Sequence, residues 1–392
     1  MPPADVFVLS ATRTPIGRFG GALAALGAPE LGGAAAVGAL ARARVRPEEI
    51  DEVIVGHARQ AGNGPNPARQ VGRRAGLPDA VPAFTVNQAC ASGLKAVLLG
   101  ADAIRLGRAR RVLAGGQEAM SRTPYYLERA RWGYRMGNAE VVDGMWRDGF
   151  LCPLCGELMG DTAETLAVEY GISRGDQDAF ALESQRRAAD ARSRLAEEIT
   201  PVEAKGGVLS EDEHPRPETT LASLGKLAPV FRPDGTVTAG NASGITDGAA
   251  ALVLGDAEAA AEGRARGAAP LARLVDAVVV GVDPARMGIG PVPAVRTLLQ
   301  RAGVSLAEVG LLELNEAFAA QALACARELG LDAARLNVNG GAIALGHPIG
   351  ATGARVAVTL LHEMRRRRER YGVATLCVSG GMGVAALFEL AT

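Results

Sequence analysis

This sequence predicts an α/β protein of two similar halves separated by an irregular insertion, on three observations. First, short apolar runs (Val6 to Leu9, Val53 to Val55, Val112 to Ala114, Leu376 to Val378) are separated by alanine-rich stretches of helical length, the pattern of buried strands between helices. Second, residues 43–56 (ARVRPEEIDEVIVG) align without a gap to 302–315 (AGVSLAEVGLLELN). Two further matches follow in order, Val86-Asn87 with Val338-Asn339 and Leu113-Ala114-Gly115-Gly116 with Val378-Ser379-Gly380-Gly381. Third, the texture changes between the halves. From Ser121 to Ala242 lie both tryptophans, four of the five tyrosines, the Cys152/Cys155 pair and EDEHPRPETT, an irregular stretch with a few helices that reads as a lid or ligand-binding loop region.

The composition bounds what such a chain does. With 392 residues and 48% hydrophobic content it has ample apolar mass for extensive cores, which excludes a disordered or fibrous protein. Lys+Arg (42) and Asp+Glu (43) nearly cancel, so no global basic field holds a polyanion, and a nucleic-acid partner is not expected. Five cysteines are too few and too odd a set for a disulfide framework and point to free thiols in a reducing compartment. MPPADVFVLSATRTP has neither the basic nor the apolar region of a secretion leader, and no apolar run approaches membrane-spanning length. A soluble cytoplasmic protein is the expectation. Glycine is in excess, 50 residues of 392 against a usual ~7%.

Four segments carry candidate chemistry. In AFTVNQACASGLKAVLLGADAIRLG (83–107), Phe84-Thr85-Val86 is strand-like and Gly93 to Leu106 has helical spacing. Cys90 falls at the turn between them, where a helix N-terminus favours a thiolate and small neighbours admit a substrate; an inert buried cysteine is the alternative. LNVNGGAIALGHPIGATGARVAVTLL (336–361) reads as strand, glycine-rich turn and helix, with His347 held between Gly346 and Pro348 in either a catalytic or a structural role. His57, His214 and His362 have weaker contexts. TLCVSGGMG (375–383) places Cys377 near the end of a buried strand before glycines whose backbone N–H groups suit an oxyanion. In LLELNEAFAAQALA (311–324), Asn315 ends a strand before a helix expected to begin near Glu316, where its amide orients a water or caps the helix.

Taken together, SATRTPIGRFGG, NQACASGLKA, GTVTAGNASGITDGAAAL, MGIGPVPA, LNEAFAAQA, GGAIALGHPIGATGAR and CVSGGMG resemble, in order and over nearly the whole chain, the motifs of the thiolase family. The resemblance implies a duplicated α-β-α-β-α layered fold. Residues 1–120 with 243–267 would form one half, 121–242 the loop domain that binds CoA and substrate, and 268–392 the other half. It also implies an acetyl-CoA C-acyltransferase that runs a reversible Claisen condensation or thiolysis of acetoacetyl-CoA or longer 3-ketoacyl-CoA through an acyl-cysteine.

In that scheme Cys90 is the nucleophile, His347 accepts its proton, and Cys377 is the acid/base at the α-carbon. His347 with a water held by Asn315 forms one oxyanion hole, and the backbone N–H groups of Cys90 and Ser379 the other. Ser243 is assigned to the pantetheine, Arg216 to the CoA nucleotide, and Leu158 and Met159 to the substrate-contact segment. No metal or redox cofactor is implied; coenzyme A, acetyl-CoA and 3-ketoacyl-CoA are the partners, and a homodimer or homotetramer is expected.

Three positions depart from the family pattern. Ser379 replaces the usual glycine after the second catalytic cysteine. Leu158 stands where acetoacetyl-specific biosynthetic members carry a histidine. Cys152-Pro153-Leu154-Cys155 is a lone CxxC, read as two loop thiols near the acyl pocket because a structural zinc site needs four ligands. Cys325 is expected to be a small core residue and RRRRER (365–370) a solvated helix end. The alternatives are a 3-ketoacyl synthase-like condensing enzyme, which would carry histidine or asparagine in place of Cys377, and a non-catalytic acyl-CoA carrier on the same scaffold.

Overall fold

A computed structural model describes residues 4–391. The first half comprises β1 (Phe7–Arg13), α1 (Ala28–Ala43), β2 (Glu52–Gly56), β3 (Ala83–Val86), α2 (Ser92–Arg105) and β4 (Arg111–Ala119). An insertion follows that carries α3 (Met159–Glu169) and α4 (Arg174–Asp190), after which β5 (Thr246–Gly255) returns to the first half. The second half runs β6 (Ala272–Gly281), α5 (Pro291–Ala302), β7 (Val309–Leu314), α6 (Ala319–Leu329), α7 (Ile349–Arg367), β8 (Tyr371–Val378) and β9 (Met382–Leu390).

The strands form one sheet in the order β7-β8-β9-β6-β1-β5-β4-β2-β3, with a short strand at Gly17–Arg18 added to β5. Each half contributes parallel and antiparallel neighbours in mirrored order. The halves join edge to edge where β1 meets β6 at Phe7–Arg273 and Val8–Ala272. Duplication shows even in the irregularities: Leu9 bulges out of β1 against β5, and Val275 bulges out of β6 against β9.

Side-chain alternation sorts the layers. In the first half Ile54, Val112, Ala250 and Leu252 face one way, and Val53, Leu113, Ala249 and Ala251 face the other, beneath α1. In the second half Ala374, Leu376, Val384 and Phe388 face inward, and Val373, Ala385 and Leu387 pack against α5 and α6. The two inward faces share one core with α2 and α7 between them. The layers are therefore α-β-α-β-α, with α2, which follows Cys90, and α7, which follows His347, sandwiched in the middle. Those helices meet closely because they meet at glycines. A Cβ on Gly93 would lie 2.8 Å from the Ala354 nitrogen, and one on Gly353 would lie 2.5 Å from the Leu94 nitrogen.

Three expectations from sequence need correction. The third internal match is not structurally equivalent. Val112 and Gly372 occupy matching positions, so Gly115 and Gly116 lie inside β4, whereas Gly380 and Gly381 form the hairpin between β8 and β9. The first pair is small to admit the neighbouring β5 and α7 backbones, the second because both residues have positive φ.

Residues 336–339 form no strand, only one bridge from Leu336 to Leu312. Asn337, in left-handed conformation, supplies the ladder bonds from its side chain: Oδ1 accepts from the Leu314 N–H at 2.8 Å and Nδ2 donates to the Leu314 carbonyl at 2.9 Å. Finally, the helix expected near Glu316 starts at Ala319, since the buried Glu316 is engaged by Ser184 Oγ (2.7 Å), Asn337 Nδ2 (2.8 Å) and the Ile343 N–H (3.2 Å). Asn315 is thus no helix cap.

Two other local readings hold, those of Cys325 and of the solvated run at 365–370. Cys325 is fully buried, and Arg366 and Arg367 at the end of α7 pair with Glu363. Among the described residues no helix is long and apolar enough to cross a membrane.

Candidate active site

A cavity of about 660 Å³ opens between the insertion and the two halves. Cys90, His347, Cys377 and Ser379 line it from the two halves; Leu158, Met159, Arg216 and Ser243 line it from the insertion and the segment that follows.

Cys90 lies between the end of β3 and the start of α2. Asn87 Oδ1 accepts from the Ala89 N–H (2.9 Å), while Ser92 Oγ accepts from the Gln88 N–H (2.9 Å) and donates to the Ala89 carbonyl (2.7 Å). These bonds hold Ala89 at φ 46°, a left-handed conformation costly for a residue with a Cβ, which fixes the turn that presents the thiol. The expectation that the helix N-terminus alone favours a thiolate is corrected here. Burial pushes the Cys90 thiol above its ordinary value, against the opposing pull of the Ser379 backbone N–H and the positive charge of Arg59. At rest Cys90 is a thiol, and it needs a base.

A neutral imidazole lines the same cavity. His347 is buried and its value is driven down to about 3, by burial first and then by the cations Arg355 and Arg59, so the imidazole is neutral. Nδ1 lies 2.7 Å from Thr352 Oγ1, and Nε2 has no protein partner. Pro348 and Ile349 open α7, so the histidine is carried at the start of that central helix.

Cys377 is deeply buried near the C-terminal end of β8. Burial, then its neighbours Cys90 and Cys325, push its thiol well above the ordinary value. Beyond it the backbone turns through Ser379, Gly380 and Gly381, and the Ser379 N–H is among the groups that oppose the rise of the Cys90 value. The serine side chain in place of glycine leaves that N–H available.

Asn315 follows the end of β7, the strand that runs parallel to β8, so it shares a sheet end with Cys377. It is fully buried, and neither amide atom has a hydrogen-bond partner, an arrangement that calls for water. The cavity wall itself is formed from this segment by Ala317 and Phe318. Ser243 donates its backbone N–H to the Ala317 carbonyl at 3.0 Å. Arg216 is exposed at the cavity and makes no ion pair among the described residues, as an anion-binding group would.

Cys152 and Cys155 are free thiols, and neither lines the cavity, contrary to expectation. The chain turns away between them, and Phe150 and Leu158 on either side face the cavity instead. Among the described residues no three His, Cys, Asp or Glu side chains gather as a metal site.

Sequence reasoning missed Glu118, Thr352 and Arg59. Glu118 is fully buried, yet its value is lowered. Burial works against this, and the His57 hydrogen bond, the charges of His57 and Arg59 and the Gly350 N–H outweigh it. The signal was present in VLAGGQEAM, where a carboxylate stands in a strand otherwise reading as apolar. His214, given little weight, also lines the cavity, its Nδ1 2.8 Å from the Ala344 carbonyl oxygen.

Comparison with known proteins gives the family and the fold. The family model described as thiolase, N-terminal domain matches residues 6–258, and that described as thiolase, C-terminal domain matches residues 268–390. An acetyl-CoA acetyltransferase of Pseudomonas aeruginosa is 54% identical over 388 residues, covering 97% of this chain and 98% of that protein. One of Escherichia coli is 51% identical, with coverage of 97% and 98%. Among solved structures, the Bacillus anthracis acetyl-CoA acetyltransferase superposes with a TM-score of 0.95 at 45% identity, covering 99% of each chain. Human mitochondrial 3-ketoacyl-CoA thiolase in complex with CoA superposes with a TM-score of 0.95 at 43% identity, covering 99% and 98%.

Proposed function

The chain belongs to the thiolase family, and on that premise we propose a residue-level account of how it carries out the family's Claisen condensation and thiolysis on CoA thioesters. The observation that carries the account is the convergence of Cys90, His347, Cys377 and Ser379 on one cavity, with His347 Nε2 unpartnered.

In the thiolysis direction Cys90 gives its proton to His347 Nε2 and attacks C3 of a 3-ketoacyl-CoA. The developing oxyanion lies between the backbone N–H groups of Cys90 and Ser379. The C2–C3 bond then breaks, and acetyl-CoA departs as an enolate that takes a proton from Cys377. His347 and a water on the Asn315 amide stabilise that enolate. CoA enters, loses its thiol proton to Cys377 and displaces the acyl group from Cys90, whose departing thiolate takes back the proton held on His347. Condensation is the reverse. Because the acyl group waits on Cys90, the two CoA thioesters use one cavity in turn. Ser243 faces the pantetheine arm and Arg216 the nucleotide, while Leu158 and Met159 border the acyl chain.

Further parts of this reading are the division into two halves (1–120 with 243–267, and 268–392) around a loop domain (121–242), a cytoplasmic setting that keeps both reactive thiols reduced, and a role in fatty-acid degradation. Coenzyme A thioesters alone complete the chemistry, with no other cofactor. A homodimer or homotetramer is supported by the segment between the short strands Tyr125–Tyr126 and Val142–Asp143, where Trp132 is 87% and Met136 98% exposed.

The test is intact-protein mass spectrometry after mixing with acetyl-CoA, together with thiolysis of acetoacetyl-CoA. An acetyl adduct on Cys90 that disappears in Cys90→Ser along with turnover is the expected result. Undiminished turnover in Cys90→Ser would overturn the account. A decarboxylating synthase would instead consume a malonyl thioester and ignore acetyl-CoA.

A further inference from the structure

Arg59 lines the same cavity as Cys90 and Cys377, is only 8% exposed, and makes no ion pair at salt-bridge distance among the described residues. Its Nε is buried without any hydrogen bond. Glu118 is close, but its oxygens are taken: they accept from the backbone N–H groups of Ala58 (3.3 Å), Arg59 itself (3.1 Å) and Gly350 (2.8 Å), and His57 Nε2 stands 3.2 Å from Oε1. Asp143, also on the cavity wall, accepts from the Met145 N–H (2.8 Å), and Asp148 pairs with Arg147 at 3.2 Å.

The surroundings are otherwise apolar. Ala58, Met120, Met145, Phe150 and Ile349 form one cluster beside Cys90. The turn over Trp146–Phe150 lies flat on the guanidinium because residue 149 is glycine; a side chain there would collide with Arg59 Nη2. An unpaired guanidinium held this way is costly, and a carboxylate arriving on the substrate removes the cost through a bidentate, charge-assisted pair. Ala58, the residue before Arg59, packs in the same cluster as Cys90, so the guanidinium and the thiol share one stretch of cavity wall, which suits a short acyl chain.

We propose that Arg59 is a specificity-determining residue that receives a carboxylate at the far end of the acyl group, making short 3-ketoacyl-CoA thioesters with a terminal carboxylate preferred substrates. The proposal rests on the thiolase reading of the cavity. The carboxylate is a bystander to bond making and breaking, which proceed at Cys90 as described.

The experiment compares kcat/KM for CoA-dependent thiolysis of two six-carbon 3-ketoacyl-CoA thioesters, one ending in a carboxylate and one in a methyl group. Wild type, Arg59→Leu and Arg59→Lys are each measured as the full chain. Wild type is expected to favour the carboxylate by about tenfold or more, Arg59→Leu to lose that ratio, and Arg59→Lys to keep part of it. A wild-type ratio at or below one overturns the proposal and requires no variant to fold. So does a ratio unchanged in Arg59→Leu, or an equal loss on both substrates with a raised KM for CoA, which would assign the guanidinium to a CoA phosphate. Failure of wild type to cleave either substrate or acetoacetyl-CoA would count instead against the thiolase reading.

Discussion

His347 Nδ1 lies 2.7 Å from Thr352 Oγ1, and that hydroxyl donates its proton to the Pro348 carbonyl at 3.0 Å. A hydroxyl whose hydrogen is committed can only accept from the ring, so Nδ1 carries the imidazole proton and Nε2 presents a lone pair to the cavity. One turn of the central helix therefore selects the basic tautomer. Thr352→Val keeps the shape and deletes the acceptor. It is expected to lower kcat by about tenfold or more with a small change in KM, and to slow alkylation of Cys90 by iodoacetamide. An unchanged alkylation rate would remove Thr352 from its positioning role.

Cys377 separates the two half-reactions. With Cys377→Ala, acetyl transfer from acetyl-CoA to Cys90 is expected to persist, read as an adduct by mass spectrometry. Condensation and thiolysis should fall by on the order of 10² to 10⁴, because the α-carbon has lost its acid and base. Loss of the adduct as well would move Cys377 into the acylation step.

Gly381 holds the hairpin that carries Ser379. Its φ is +84°, and a Cβ there would strike the Val282 carbonyl and lie 2.7 Å from the Pro284 nitrogen. Gly381→Ala is expected to cost roughly 1–3 kcal/mol in denaturant unfolding and to lower kcat more than it raises KM, since the oxyanion-directed N–H moves with the turn.

Acid should weaken the fold through His347. Its value falls from an ordinary 6.5 to about 3 in the folded protein, so between those values the unfolded chain binds a proton that the native one does not. The contribution to stability is complete above pH 6.5 and is lost as the pH falls toward 3. His347→Asn removes that titration. Melting temperatures followed from about pH 7 to 4 are expected to fall less steeply in the variant than in wild type. His214 and His362, lowered mainly by burial, contribute in the same direction to both proteins.

Much of the fold and most of the reacting groups could be read along the chain. The apolar runs at Val53 to Val55 and Val112 to Ala114 became parallel strands, the spacing from Gly93 onward became the central helix, and the glycines around Cys377 became its turn. Errors fell where a side chain imitates backbone or a charge is spent in the core. Asn337 replaces a strand with two side-chain bonds, Glu316 delays a helix by three residues of buried bonding, and Gly115-Gly116 resembles Gly380-Gly381 in letters while serving a different packing need.

By itself the sequence determined the alternation of strands and helices, the duplication and the thiols and histidine that line the cavity, because those depend on local periodicity and residue chemistry. Only the tertiary structure decided that Thr352 sets the tautomer of His347, that Asn315 is left with an unpaired amide, and that Glu118 is filled by donors from residues 57–59 and 350, leaving Arg59 without a salt bridge. Whether a polar group is satisfied depends on partners distant in the chain, and those partners exist only once the two halves have closed around their shared helices.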